Sequence, residues 1–512
     1  MKIQSTNQKM NSKSSFRGPL DTALTNTLVT IETNPMVNAA LVDVFSMVAP
    51  RTYVDTKKRN KYAGAETFFR ELTGTFIVCL SSGFLAKGIS HIYNKVVNSD
   101  IKINPNSWVS NDSLEILKEA WNKSNNKNEY IGKVLENVSG IDGKDTKRYR
   151  DIRWNKVNWY DDKKWKNLSW ENPKFNNIED SLKDEKSISN TLGTILEKDT
   201  TEKDAKQVLE ILEHRIGNAL NISDSVNVEI GDKKLSTTLH NLLRDTYDMG
   251  KNVFTSGVNI DSSIEKLRKM NKVKTLGALS VASTLGLTNQ YINRRITKKR
   301  TGTDAFVGDL DYKKGKASSD KTSDKKNNSK SNIFGLKLLA SGGIIGLAAL
   351  VMKIKNPKDF IKKLEFTSAI TSGNAIKTVY TATLVGRFMA AKDKTELRES
   401  ATRDYLGFLN WLVFGGFVAK GVANLLDKGQ KNLFNINKKG EGVKHWLNDI
   451  SLKTHAEINS KGADFTKKNI WKLNLAETSG LAYSTIALGV LLPLLNIFIT
   501  KKKGEKQNAQ KL

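Results

Sequence analysis

A single cysteine, Cys79, serves the whole chain, which excludes an intramolecular disulfide. It lies in an apolar run, the setting of a small buried hydrophobe rather than of a reactive thiol. Histidine is scarce too. The five, at 91, 214, 240, 445 and 455, are scattered without metal-ligand partners at useful spacing. "HWLNDISLKTH" holds two of them ten apart, with no cysteine nearby. No phosphate-cradling glycine loop, nucleophile elbow or kinase signature occurs. Asp309 and Asp311 form a lone acidic pair, more in keeping with solvated surface than with a cation site. These absences argue against an enzyme and against a bound metal or cofactor. No DNA- or RNA-recognition motif is present. The first 34 residues are polar with no apolar core, so a cleaved signal peptide is not expected.

Positive charge, by contrast, is abundant: 82 lysines and arginines against 53 aspartates and glutamates, a formal net charge of +29. The lysines are spread over every segment outside the apolar blocks. That fits a general Lys/Asn bias better than a nucleic-acid footprint, which concentrates on one face or stripe. Nucleic acid is therefore not expected as a partner.

The averages, 38% hydrophobic and 26% charged, look soluble, but the apolar residues are gathered into blocks. Ile333–Met352, Tyr405–Leu426 and Ser479–Ile499 are apolar on all faces and about 20 residues long, as a bilayer-spanning helix requires. Leu72–Ile92 and Leu276–Ile292 are similar but interrupted by Ser, Thr or Gly. Val37–Ala49 is short and contains Asp43, and Phe366–Ala391 contains Lys377 and Arg387. Six or seven spans are expected. Residues 94–273 hold six of the nine tryptophans and include Thr201–Asn221, whose Val208, Ile211, Leu212, Ile216 and Leu220 keep helical spacing behind a Thr201 cap. A folded helical extramembrane domain is expected there. Trp154, Trp159, Trp165 and Trp170 are read as the core of a domain otherwise poor in large aliphatics, ahead of a membrane-interface belt or a stacking surface. Lys313–Ser331 has no apolar residue except Ala317 and reads as disordered linker.

The heptapeptide "GFLAKGI" (83–89) returns as "GFVAKGV" (416–422). It belongs to a gapless match of residues 66–94 with 399–427, which shares Glu66/Glu399, Arg70/Arg403, Gly74/Gly407, Gly83/Gly416, Lys87/Lys420 and Gly88/Gly421 among its identities. A second match pairs Leu285–Arg300 with Leu488–Lys503, both ending Asn-x-x-Ile-Thr-Lys-Lys. A fainter third pairs Ala39–Phe45 with Ala382–Phe388. Three colinear matches point to a duplicated three-helix unit, with helices b, c and d. The expected architecture is all-α: a multi-pass helical membrane protein with two tandem copies of that unit and one inserted extramembrane domain. Its order is a polar tail (1–34), helices b and c (35–93), the insertion (94–273), helix d (274–302), a disordered basic linker (303–332), a connecting span (333–356), the second copy (364–505) and a tail (506–512). Basic loops favour parallel over inverted copies.

The lysine inside each heptapeptide has two readings. In the leading one Lys87 and Lys420 reach the interface as anchors, while small residues let helices approach closely. In the other they face inward as a matched pair contacting an anion or a lipid phosphate. Asp43 and Arg387 fall at adjacent positions of the aligned b helices, as a cross-copy charge pair. Gly74, Gly83, Gly88, Gly407, Gly416 and Gly421 are assigned to helix packing. Arg70–Glu71 and Arg403–Asp404 are read as boundary markers at the entrance of helix c, where the acid suits the helix dipole. The leading functional expectation is a structural or scaffolding membrane component. It would contact the bilayer and anionic lipid headgroups and present residues 94–273 to a protein partner. Two alternatives stand beside it: a transporter or channel with an ion or anionic-ligand site between the copies, and a soluble basic helical binding protein. Charges pointing into a shared polar cavity would favour transport.

Overall fold

A computed structural model of the chain describes residues 19–33, 35–96, 109–140, 148–157, 168–197, 199–220, 225–302, 328–352, 364, 373–436, 440–460 and 463–509. Trp108, Trp159, Trp165, the pair Asp309 and Asp311 and most of the expected linker lie outside the described residues. The fold is predominantly helical, consistent with an all-α chain. Residues 19–33, expected as polar tail, form helix α1 (Pro19–Thr33).

Seven helices make a bundle. Helix α2 runs Pro35–Val42 and continues through a π-helical turn, Asp43–Val48, into Ala49–Lys58. Helix α3 is Lys61–Thr75, a π-helical stretch Phe76–Ser81, then Ser82–Val96. The others are α9 (Ile260–Thr301), α10 (Asn328–Val351), α11 (Gly373–Ala390), α12 (Lys394–Leu409, π-helical Asn410–Phe414, Gly415–Leu426) and α14 (Ala463–Ser484, π-helical Thr485–Leu491, Leu492–Ala509). Their direction alternates along the chain. Thr67 donates to Asp55 at 2.6 Å and Thr75 to Asp43, so α2 and α3 are antiparallel. Arg300 lies 4.5 Å over the Phe69 ring while Gly277 meets Ile89, which reverses α9 against α3. Lys337 bonds the Met389 carbonyl and Thr378 the Met352 sulfur, reversing α10 against α11. Gly415 meets Gly480, and Asn496 donates to the Glu399 carbonyl at 3.3 Å, reversing α12 against α14. Helices α3 and α12 therefore run the same way, and the segments after them, 97–259 and 427–462, leave from the same end.

The first of these segments is a compact unit built on α4 (Asn111–Asn122), α5 (Lys127–Glu136), α6 (Glu185–Thr194), α7 (Glu202–Leu220) and α8 (Leu239–Asn252). It also carries an antiparallel sheet, β1 (Val138–Gly140), β2 (Ser225–Ile230) and β3 (Lys233–Thr238), with Val138 opposite Val228 and Val228 opposite Leu235. The sheet departs from the expected purely helical insertion. Its signal is the alternation of Val226, Val228 and Ile230, all buried. The core is rich in leucine, isoleucine and valine, not poor in them. Trp154 and Trp170 pack on it, and Trp121 stacks on Phe254 at 5.0 Å.

Helix α9 belongs to both parts. Ile264, Leu267 and Met270 join the domain core, whereas Ala278, Leu279 and Ala282 join a bundle cluster with Val78, Cys79 and Val379. It is capped by Asn259 on the Ser262 N–H and stopped by Gly302 at φ 76°. At 42 residues it is about 63 Å long.

The two parts distribute polarity in opposite ways. Among the described residues between Val96 and Val273, no large apolar side chain is exposed. The bundle exposes many, with Phe84 at 63%, Leu339 at 76% and Leu350 at 76% exposure, yet buries Arg51, Arg70, Glu71, Arg387, Arg403 and Asp404. Three described helices are long and apolar enough to cross a membrane: Lys61–Tyr93, Ile333–Val351 and Asp464–Ile499. They take in two of the three strongest apolar runs, with Leu72–Ile92 in place of Tyr405–Leu426.

Bundle helices touch closely at glycines, though not at all those assigned to packing. Gly83 is buried, but Gly88, Gly416 and Gly421 face open space. Backbones meet instead at Gly386 against Leu287, and at Gly480 against the Gly415 carbonyl, where an added Cβ would sit 2.6 Å away. Gly480→Ala and Gly386→Ala should each cost about 1–3 kcal/mol, because backbone cannot yield. Gly416→Ala and Gly421→Ala should shift the melting temperature in detergent little, and equal losses at all four positions would contradict this packing.

Candidate functional site

Helix periodicity brings the buried charges to one place. On α3, Glu71, Gly74, Thr75 and Val78 share a face by their three- and four-residue spacing. On α2, Asp43 and Arg51 turn toward it, and Arg387 arrives from α11. The Arg387 guanidinium spans two helices: Nη2 donates to Glu71 Oε2 at 3.1 Å and Nη1 to Asp404 Oδ1 at 3.1 Å. Each carboxylate also holds the arginine preceding it in sequence, Arg70 Nε at 3.2 Å from Glu71 and Arg403 Nε at 3.0 Å from Asp404. Arg51 closes the ring, with Nη1 at 3.6 Å from Glu71 and Nε donating to the Leu488 carbonyl at 2.9 Å. Four arginines and two carboxylates, all buried, thus join α2, α3, α11 and α12. Among the described residues, Arg387 Nε and Asp404 Oδ2 are buried without a hydrogen-bond partner.

Gly74 and Gly407 have a specific part in this arrangement. A Cβ at Gly74 would lie 3.5 Å from Arg387 Nη2, and one at Gly407 3.7 Å from Arg51 Nη2. Each glycine leaves room for a guanidinium lying across its helix, α3 or α12, rather than for a neighbouring backbone. The Arg70–Glu71 and Arg403–Asp404 doublets, read from the sequence as boundary markers, are the centre of the network. The available signal was the shared pattern Arg-acid-x-x-Gly in both matched stretches. Arg51 carried no comparable signal.

Asp43 and Arg387 line one small cavity with Glu71, Thr75, Tyr380 and Thr383. Its volume is about 10 Å³, room for a single water. Asp43 accepts from Thr75, while Arg387 is engaged by Glu71 and Asp404, so the two share a cavity without forming a direct pair. A second tier at the loop end adds Arg59–Glu399 at 2.6 Å and Arg294–Glu396. The two heptapeptide lysines have different surroundings. Lys87 is exposed. Lys420 donates to the carbonyls of Trp446 and Ile450 and sits 4.3 Å over the Trp446 ring. Among the described residues, no three His, Cys, Asp or Glu side chains converge on a metal-sized site.

A smaller polar cluster marks the joint between domain and bundle. Lys274 of α9 is buried beneath Asp245 and Ser113, and Asn271 donates to the Val109 carbonyl at 2.8 Å. One helical turn on, Asp248 is buried with Oδ2 unpartnered, and burial raises its carboxyl to about 7, against the pull of Arg244.

No family model, curated protein or solved structure matches the chain. The residues and their geometry are the whole basis for a functional reading.

Both clusters are open to test by substitution. Arg387→Met removes the one side chain that bridges Glu71 to Asp404 and leaves each with only its other arginines, and it should cost about 3–5 kcal/mol in detergent unfolding. Arg387→Lys should recover little, because one ammonium cannot bridge both carboxylates. At Asp248 the raised folded value means that the favourable, protonated state is lost as pH rises through about 7. The domain's stability, followed by tryptophan fluorescence, should therefore fall from about pH 4, the ordinary carboxyl value, to about pH 7 and level off above it. Asp248→Asn should flatten that slope, and an unchanged slope would assign it elsewhere.

Proposed function

We propose that the chain is a multi-pass integral membrane scaffold of duplicated architecture, which holds its neutral domain rigidly at one face of a bilayer. The observation that carries this reading is the inverted polarity of the bundle, with arginines and carboxylates inside and phenylalanine, leucine and isoleucine outside. Lipid is the solvent in which that arrangement is favourable. Roughly 33 Å of helix separates Lys272 from Arg294 on α9, close to the hydrocarbon thickness. Cations at the ends lie over aromatic rings, Arg300 on Phe69 and Lys502 on Phe498 at 5.8 Å, with Trp471 exposed at the opposite end of α14. Residues 97–273 hold as many acidic as basic side chains, 29 of each, so the whole excess of +29 belongs to the rest of the chain, the part that would meet anionic headgroups.

The duplication reading is supported by contacts that recur between corresponding helices, the two arginines lying about two turns apart in the alignment. Arg51 of α2 lies across Gly407 of α12, and Arg387 of α11 across Gly74 of α3. A Cβ at Gly489 of α14 would lie 2.6 Å from the Ser46 carbonyl of α2, and one at the aligned Gly286 of α9 would lie 2.5 Å from the Thr383 hydroxyl of α11. The π-helical stretches Phe76–Ser81 and Asn410–Phe414 fall at aligned positions of helix c. On this reading each b helix packs against the d helix of the other copy, so neither copy closes its core alone.

A second reading, transport, is favoured by the cavity that Asp43, Glu71 and Arg387 share. Its size, and the fixed partners of Arg387, favour the scaffold.

Fractionation tests the proposal: the full chain should stay in the membrane pellet after alkaline carbonate. Reporters after Asn94, Lys363 and Gly429 should map to one side and those after Gly302 and Lys392 to the other. Recovery in detergent-free supernatant, or a split between Asn94 and Gly429, would overturn it.

A further inference from the structure

Between α12 and α14 the chain forms a small cap: strands β4 (Phe434–Ile436) and β5 (Ile450–Leu452), paired with Ile436 opposite Ile450, enclose the short helix α13 (Gly442–Asn448). Its apolar positions do not all point inward. Trp446 packs on Phe417, ring centroids 6.1 Å apart, and on a cluster that includes Ala423, Ile470, Leu473 and Ala476. Val443 and Leu447, four residues apart and so on one face of the helix, are 74% and 40% exposed. They continue an apolar surface formed by Phe417 and Leu425 of α12 and Ile436 of β4, the last two also largely exposed. The cap sits at the depth where Trp471 and Leu475 emerge from α14, and Lys428, Lys431, Lys467 and Lys468 are exposed around it.

Lys420 explains how so short a helix stays in place. Seven residues cannot hold a helix by their own hydrogen bonds. The Lys420 ammonium supplies the missing constraint: it donates to the Trp446 carbonyl near the helix C-terminus and to the Ile450 carbonyl at 2.6 Å, with the indole face above it. A cation at a helix C-terminus is favourable, and carbonyls together with a π face replace its lost hydration.

We propose that α13 is an in-plane membrane anchor, pinned by Lys420, whose Val443 and Leu447 enter the headgroup–acyl boundary of a bilayer containing anionic lipid. The occupant is lipid because the exposed residues continue the outward apolar face of α12, which a bilayer would already cover, and because the rim is lysine. A flat strip of this kind, with apolar side chains below and cations at its edge, is the pattern of interfacial helices. The inference rests on the membrane reading above and assigns its lipid contact to a specific element.

The test uses the full chain, reconstituted in phosphatidylcholine–phosphatidylglycerol vesicles. Nitroxides are placed at Val443→Cys and, for reference, at Phe84→Cys on the exposed face of α3. The native Cys79 is buried and should not label. Relaxation by oxygen and by a water-soluble nickel complex should place the 443 label about 5–10 Å below the phosphates, with Phe84 deeper. Removing phosphatidylglycerol should make the 443 label shallower, and Lys420→Met should abolish its depth while leaving the Phe84 label unchanged. A water-exposed 443 label beside a lipid-exposed Phe84 label overturns the anchor alone. Two water-exposed labels overturn the membrane reading itself. Spin–spin broadening at position 443 that disappears on dilution with unlabelled protein would assign the face to a second copy instead. An unaltered depth in Lys420→Met removes the pin, and an unaltered depth without phosphatidylglycerol removes the requirement for anionic lipid.

Discussion

The Arg387 guanidinium, shared between Glu71 and Asp404, is the interaction on which the bundle depends. Its two edges reach helices 316 and 17 residues away in sequence, and no apolar contact could hold them with the same geometry. Charges taken out of water are costly unless each is paired, and removing one partner costs more than the pair contributes. That asymmetry makes the ring of Arg51, Arg70, Arg387 and Arg403 around two carboxylates a register device. A helix displaced by one turn would leave unpaired charges in the interior. The apolar clusters of the bundle are small and separate, so packing alone would specify the arrangement weakly.

The domain is held by different physics. One continuous core of buried aliphatic and aromatic side chains runs from Val109 to Met270, and its surface is charged but neutral overall. Hydrophobic burial in water suffices there. Between the two regimes stands the buried Lys274–Asp245 cluster, at the point where α9 passes from an aqueous core to an inverted one.

Much of this was legible in the sequence, for identifiable reasons. Apolar blocks such as Ile333–Val351 announce themselves by composition, and Val208 to Leu220 by a helical period. The matched stretches carry the shared Arg-acid-x-x-Gly pattern on which the charge network is built. The charge network was less legible because a buried arginine and a boundary arginine look alike in one dimension. What distinguishes them is the glycine three residues after each acid, Gly74 and Gly407, whose missing side chain is filled by a guanidinium from another helix. The sheet was missed because β1 is three residues long and pairs across a separation of some ninety residues. The difference between Lys87 and Lys420 could not be read from near-identical heptapeptides, since it is set by the segment C-terminal to each: a domain in one case, the α13 cap in the other.

Helix α9 has a mechanical consequence. No loop or hinge interrupts it between Ile264 in the domain and Gly286 against Thr383 in the bundle. A force applied to the domain surface is therefore delivered as tilt or torsion of a stiff rod to the α9–α11 seam, about one turn from Arg387. In such a molecule a tug on the outer part is felt in the interior without a change in either fold.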